Sequence, residues 1–367
     1  MQIRIDYNNH HYNDNAVYIT AGYNNGIASK YYKVDDEIAI CNLSFSHLIV
    51  NYIKKKYDLK CDCQIGQTST CFTIKSNKEE MVKDLTTLID VFRCLEFDRS
   101  LFDEVKETAL ENFKEAYKNG EFRARYKAME IADITKGYTF EGLIRDMTSI
   151  GFEEFTSIGS RIIINGELMV YVNGNLRNLT DDELASLNDR SEPVYSVPEI
   201  CGKEIDPYLL DDAHIIETAR ESYNIDVIHF AFNDNISLID RYVWTNIETA
   251  RIQYEDKEVN VDELDASVIV STPELISLKK IFRTPIDNEQ FNKAKGSIFL
   301  KYRRLLEKKP VLFNQDYVGM KLAGCSLIDF LELLDRLEYE GYLNVSEKIK
   351  PIINEGQVAL RREVFNV

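Results

Sequence analysis

The sequence predicts an α+β protein built from two domains of similar topology. Three observations lead there. The chain has 367 residues, enough for two or three well-buried cores. Each half passes through the same order of strand, helix, strands, several helices and strand, although the halves share little letter by letter. Between the halves the periodicity lapses, and Pro193, Pro198 and Pro207 bring three of the seven prolines into residues 188–211, a linker composition. The predicted division is a domain over 1–187, a linker over 188–211 and a domain over 212–367.

In the first half, "AVYITAGY" over 16–23 reads as a strand and 43–53 as a helix with His47 among aliphatic residues. Residues 59–65 and 69–75 read as two strands joined by a turn at Gly66. Met81, Leu85, Leu88, Val91 and Phe92 place one apolar face on a helix over 78–95. Phe102, Val105, Ala109, Leu110, Phe113 and Tyr117 do the same for the next helix, with Ser100 as N-cap, Asp103 three residues on and Gly120 as stop. More helix follows over 122–150, then a strand in "ELMVYVNGNL" and a capped helix in "TDDELASLNDR".

The second half gives strands within 213–232, a helix over 235–252 and a strand over 265–274. A long helix over 288–309, another over 326–337, a short one over 346–354 and a closing strand over 355–364 complete it.

The net charge of −17 argues against nucleic acid as a partner, because such binding needs Lys and Arg to neutralise phosphate, and it favours a basic peptide. No apolar run reaches the roughly 20 residues of a membrane span, and the N-terminal stretch has no signal-peptide core. Seven scattered cysteines read as reduced thiols of a cytoplasmic protein. Cys61 and Cys63 are two apart, so a strand there turns both to one side, while Cys71 and Cys94 complete no zinc spacing.

This element order resembles the insulinase-like (M16B-type) zinc peptidases in their short-subunit form. Gly174 and Asn175, ending a strand before a capped helix, are similar to the end of that family's first domain. Asp287, Glu289, Ala294 and Lys295, opening a long helix, resemble its second domain. The resemblance implies in each domain a mostly antiparallel sheet with helices on one face. It also implies a motif H-x-x-E-H on the first helix, whose two histidines hold zinc while the glutamate activates water. The matching residues here run from His47 to Asn51: the first histidine is kept, the general base is Val50, and the second ligand is Asn51. The third ligand falls at Glu111. One imidazole, one carboxylate and one neutral amide compete poorly for Zn²⁺, and nothing at Val50 takes a proton from water. The expectation is no metal and no cofactor on this chain, with His47 and Asn51 as relics; a core histidine satisfied by its surroundings is the plainer reading of His47.

The resemblance further implies a pair of homologous chains closed around a chamber, zinc on the partner, and an arginine and tyrosine reaching the substrate carbonyl from the silent chain. Here "WTNIETARIQYEDKEVNVDELDASVIV" replaces the family's glycine-rich stretch; Tyr254, Arg251 and Arg241 stand nearest, and ordinary surface charges are the alternative. The peptide would add as a strand to the edge formed by Lys60, Cys61, Asp62, Cys63, Gln64 and Ile65, or that strand is merely an edge protected by Lys60 and Asp62. The composition resembles the silent member of the peptidase-like pair in subtilosin-type bacteriocin clusters, which implies leader removal from a ribosomally made peptide. A scaffold like the core subunits of the bc1 complex, and a stand-alone peptide-binding protein, are the other readings.

Overall fold

The computed structural model describes residues 1–12, 14–27, 29, 31–34, 37–40, 42–66, 68–119, 122, 126, 139–176, 222–230, 236–255, 260–264, 267–272, 284–352 and 358–366. The linker 188–211 and the helix expected in "TDDELASLNDR" lie outside them.

The first sheet holds five strands in the order β1-β7-β2-β6-β5: β1 Gln2–Asn9, β2 Ala16–Tyr23, β5 Asp62–Ile65, β6 Thr70–Asn77 and β7 Glu167–Gly174. Only β1 and β7 run parallel; β2 pairs antiparallel with both neighbours, Thr20 standing opposite Thr73 on β6 and Tyr171 on β7. A separate hairpin joins β3 Tyr31–Val34 to β4 Glu37–Ile40. The helices of this half are α1 Phe45–Lys56, α2 Met81–Arg93, α3 Arg99–Ala116, α4 Phe140–Ser149 and α5 Phe152–Gly159, which continues into a π-helical turn over Ser160–Ile164.

Every residue of β2 is buried, which is why it lacks the alternation of a one-sided strand. One face is aromatic: Tyr23 and Phe72 lie 6.1 and 5.2 Å, ring centre to ring centre, from Phe92 of α2. Phe155 of α5 extends that core, touching Phe45 and Tyr52 of α1 at 5.5 Å and Phe102 of α3 at 4.9 Å. The other face is covered by α8, Pro310–Leu322, an element from late in the chain. It buries Phe313, Tyr317, Val318 and Met320, and among them runs a polar seam. Asn173 donates to Asn314 (3.0 Å), Asn314 donates to the Tyr18 carbonyl (3.1 Å), and Gln315 donates to Thr73, itself hydrogen-bonded to Thr20. Tyr317 stacks on Tyr171 at 3.8 Å. Gly22 lets α8 close: a Cβ there would lie 2.6 Å from Val318 Cγ1 and 2.9 Å from Cys71 Sγ.

The second sheet is antiparallel throughout, in the order β11-β8-β10-β9: β8 Ser222–Phe230, β9 Asn260–Leu264, β10 Ser267–Thr272 and β11 Val358–Asn366. Its helices are α6 Leu238–Glu255, α7 Asn288–Lys308, α9 Leu327–Arg336 and α10 Tyr339–Ile352. Trp244 of α6 donates to Ser346 of α10 (3.1 Å), and Phe291 of α7 packs 5.4 Å from Tyr342.

The chain forms two compact units, and neither is one continuous stretch. The first comprises the described residues of Met1–Asn112, Leu143–Gly202 and Arg303–Leu327; the second comprises those of Phe113–Gly142, Lys203–Tyr302 and Ile328–Val367. The α+β class and the mostly antiparallel sheets are those the sequence indicates, with α8 added on the second face of the first sheet. Several details differ. β1, along which Ile3, Ile5 and Tyr7 alternate with polar residues, is a strand beyond those assigned from the sequence. β9 and the β3–β4 hairpin are likewise strands beyond those assigned from the sequence. α3 begins at Arg99, and Asp98, rather than Ser100, accepts from a first-turn amide, that of Leu101 at 2.8 Å.

Candidate functional site

Helix α1 is set firmly before any of its chemistry is considered. Asn42 accepts from the Ser44 amide (3.0 Å) and donates to the Asp146 carbonyl (3.2 Å), fixing the entry. Phe45, Leu48, Ile49, Tyr52 and Ile53 are buried, and the Tyr52 hydroxyl donates to the Glu96 carbonyl at 3.1 Å. The exit carries Lys54, Lys55 and Lys56, cations where the helix dipole favours them. What remains is a stripe of His47, Asn51 and Lys54 at helical spacing, with Val50 beside it.

His47 is half-buried, and desolvation of its ring pulls the pKa down to about 4, so the imidazole is neutral at pH 7. Asn51 is exposed and spends its amide donor on the His47 carbonyl (3.0 Å), one turn back along its own helix. Val50 is 7% exposed. Glu111 lies exposed on α3. No group of three His, Cys, Asp or Glu side chains among the described residues is disposed to hold a metal ion. These donors do not fit a hydrolytic zinc site: one imidazole, an amide already engaged, and an isopropyl group where a carboxylate must take a proton.

β5 is an edge strand. It pairs with β6 alone, Cys63 facing Phe72 and Gln64 facing Cys71, and its other side has no strand partner among the described residues. Asp62 and Gln64 are exposed, Cys63 and Ile65 half-buried; exposed Lys60 and half-buried Cys61 precede the strand instead of belonging to it. Past its end the Gly66 amide donates to the Ser69 carbonyl (2.8 Å) and the Gly66 carbonyl accepts from Ile27 (2.9 Å). Such an edge offers backbone N–H and C=O groups to an extended peptide.

The other candidate residues fall on α6. Arg251 is 5% exposed and donates to Glu248 (3.2 Å) and to the Thr284 carbonyl (2.9 Å). Glu248, 3% exposed, also accepts from the Tyr342 hydroxyl. Burial, then Glu248, pushes that phenol far above its ordinary range. Arg251 is thus committed to an ion pair inside its own unit. Arg241 is half-buried and its Nε donates to the Ile236 carbonyl at 3.1 Å. Tyr254 lies on the last turn of α6, its side chain outside the described residues. Two features escaped the sequence: the Glu248–Arg251–Tyr342 cluster, whose i, i+3 half was legible, and the close approach of the Cys61 and Cys63 thiols, with Sγ atoms 3.3 Å apart.

No protein-family model matches the chain, and no curated protein does. Solved structures do. An M16-like peptidase from Alicyclobacillus acidocaldarius is 12% identical, with 96% of this chain and 93% of that one covered and a TM-score of 0.75. A protease from Helicobacter pylori is 13% identical, with 98% and 97% covered and a TM-score of 0.67. A chain of Complex III2 from Candida albicans is 10% identical, with 98% and 93% covered and a TM-score of 0.61. No helix among the described residues is long and apolar enough to cross a membrane. Identities this low bear on architecture and not on activity, and the architecture they establish is that of the M16-like peptidases, a two-domain α+β fold.

Proposed function

We propose that this chain is a catalytically silent M16-type subunit. It pairs with a homologous zinc-bearing subunit, and the two enclose a chamber in which a peptide is processed. The observation that supports the reading is α1, where His47 is followed by buried Val50 and self-bonded Asn51, the residues we align with the base and second-ligand positions of the motif. The open edge of β5 supplies a place to hold the substrate as an added strand. Tyr254 and Arg241 are the residues proposed to reach the partner's site, and Arg251 a residue that holds α6 in place for them. In its finest form the substrate is the leader-bearing precursor of a ribosomally made bacteriocin, cut in the cytoplasm. The chain-order division, domains over 1–187 and 212–367 about a linker over 188–211, belongs to the same proposal.

The test is reconstitution with a homologue carrying intact H-x-x-E-H. A stable complex, zinc on the partner alone and cleavage only by the pair are the expected results. One zinc per molecule of this chain, with chelator-sensitive proteolysis by the chain alone, overturns the proposal. The second reading is a scaffold without peptidase work, favoured by the likeness to a chain of Complex III2. It predicts copurification with redox proteins instead.

A further inference from the structure

Cys61 immediately precedes β5 and Cys63 is its second residue, so extended backbone turns both to one face. The pairing of Cys63 with Phe72 identifies it as the aromatic face, the side of α2. Both residues are half-buried, and their Sγ atoms lie 3.3 Å apart in hydrogen-bonding contact. The charged groups that act on them are Lys54 of α1 and Asp62 between them. The bond from Cys63 draws the Cys61 thiol below its usual range against the opposing effect of burial, and Lys54 adds to it. The same bond and burial push Cys63 up. Of the two sulfurs, Cys61 is therefore the readier to lose its proton, with the Cys63 thiol in contact beside it. An attacking thiolate with a resolving thiol beside it has this arrangement. Cys71 differs: it is fully enclosed, and burial pushes it up to about 12. Cys325 is buried, and Cys94 is exposed on the surface.

We propose that Cys61 and Cys63 form a dithiol site for low-molecular-weight disulfides of the glutathione class, closing to an intramolecular disulfide at the edge of the first sheet. The Cys61 thiolate attacks one sulfur of the small disulfide. An S–S bond forms to Cys61, the small S–S bond breaks, and one small thiolate leaves and takes up a proton. Cys63 then loses its proton and attacks Cys61 Sγ, expelling the second small thiol. The protein dithiol is oxidised by two electrons, and one small disulfide is reduced to two thiols. Closure draws the sulfurs from 3.3 Å to about 2.0 Å and their Cβ atoms to about 3.8 Å. An extended strand holds side chains two residues apart more widely than that, so β5 must curl at Asp62. Cys61, lying before the strand, is the free end that moves. The curl displaces the backbone groups an added peptide strand would use; this consequence, unlike the dithiol chemistry, rests on the proposed function.

The experiment uses the full chain, oxidised glutathione and an N-ethylmaleimide quench, followed by mass analysis of the segment containing residues 61–63. The expected product has lost two hydrogens and carries neither glutathione nor maleimide. Cys63→Ser should stop at the first step, with one glutathione on Cys61. Maleimide on both Cys61 and Cys63 after Cys94 has been oxidised overturns the proposal, as does glutathione retained on both; the unmodified chain decides this whether or not the variant folds. A fluorescein-labelled casein peptide separates the two claims. Binding lost on oxidation and regained with reductant supports the coupling to the edge, and binding indifferent to a formed disulfide refutes it. A reduced chain that binds no peptide counts against the peptide reading and leaves the dithiol standing.

Discussion

Replacing Arg251 by methionine separates two roles for the same side chain. The substitution keeps the aliphatic length and removes the cation. Glu248 is then left 3% exposed with the Tyr342 hydroxyl as the bond it keeps from this cluster. Breaking a buried ion pair from one side costs about 3–5 kcal/mol, because an uncompensated charge stays behind. In a unit of this size each kcal/mol is worth about 2–4 °C, so the unfolding midpoint should fall by roughly 6–20 °C. The chain has two units, so hydrogen exchange read on α6 and α10 reports the affected unit directly. Adding Glu248→Gln removes the stranded charge and should recover most of the loss, a coupling that a double-mutant cycle measures. An Arg251→Met chain with unchanged stability, in a reconstituted pair with lowered turnover, would refute this account and return Arg251 to the substrate.

Three further outcomes follow from the same structure. Gly22→Ala places a Cβ 2.6 Å from Val318 Cγ1 and should cost about 1–3 kcal/mol in urea unfolding; Val318→Ala in the same chain should recover part, and no recovery would deny that contact. His47, lowered from 6.5 to about 4 by desolvation, binds its proton more readily in the unfolded chain. Its contribution is therefore complete above about pH 6.5 and is lost as pH falls toward 4, by up to about 3 kcal/mol, a slope that His47→Gln should flatten in unfolding measured across that window. Proline scanned through Asp62, Cys63, Gln64 and Ile65 should alternate: where the amide faces β6 the sheet weakens, and where it faces outward only peptide binding falls. A scan without that two-residue period removes β5 as the docking edge.

The parts of the fold legible in the sequence are those where burial and period coincide. Phe102, Val105 and Ala109 are buried and spaced as a helix, so α3 could be seen. Helix α8 could not be separated from its surroundings, because the residues it buries include Asn314 and Gln315 and its partner is a sheet nearly 300 residues earlier in sequence. β1 alternates Ile3, Ile5 and Tyr7 with polar residues, a local strand pattern, but its parallel register with β7 is a long-range pairing that such a pattern does not announce. The site divides in the same way. The motif positions His47, Val50 and Asn51 were readable as letters. The Arg251 environment was not, since Tyr342, which shares Glu248 with it, comes from a different helix.

The seam beneath α8 bears on how the chain is made. β7, the last strand of the first sheet, ends at Gly174, and α8 ends at Leu322. At about 5–20 residues per second the ribosome needs roughly 7–30 s to travel between them. For that interval the first sheet can be fully paired while the face α8 will cover stands in water. Thr73 and Asn173 on that face bond to Gln315 and Asn314 in the finished protein, with Thr20 bonded to Thr73, and water can satisfy the same groups beforehand. An aliphatic face there would pack as tightly at the end, but the nascent chain would carry it bare, open to association with other chains. The hydroxyl and amide groups let the unfinished sheet wait for its last helix.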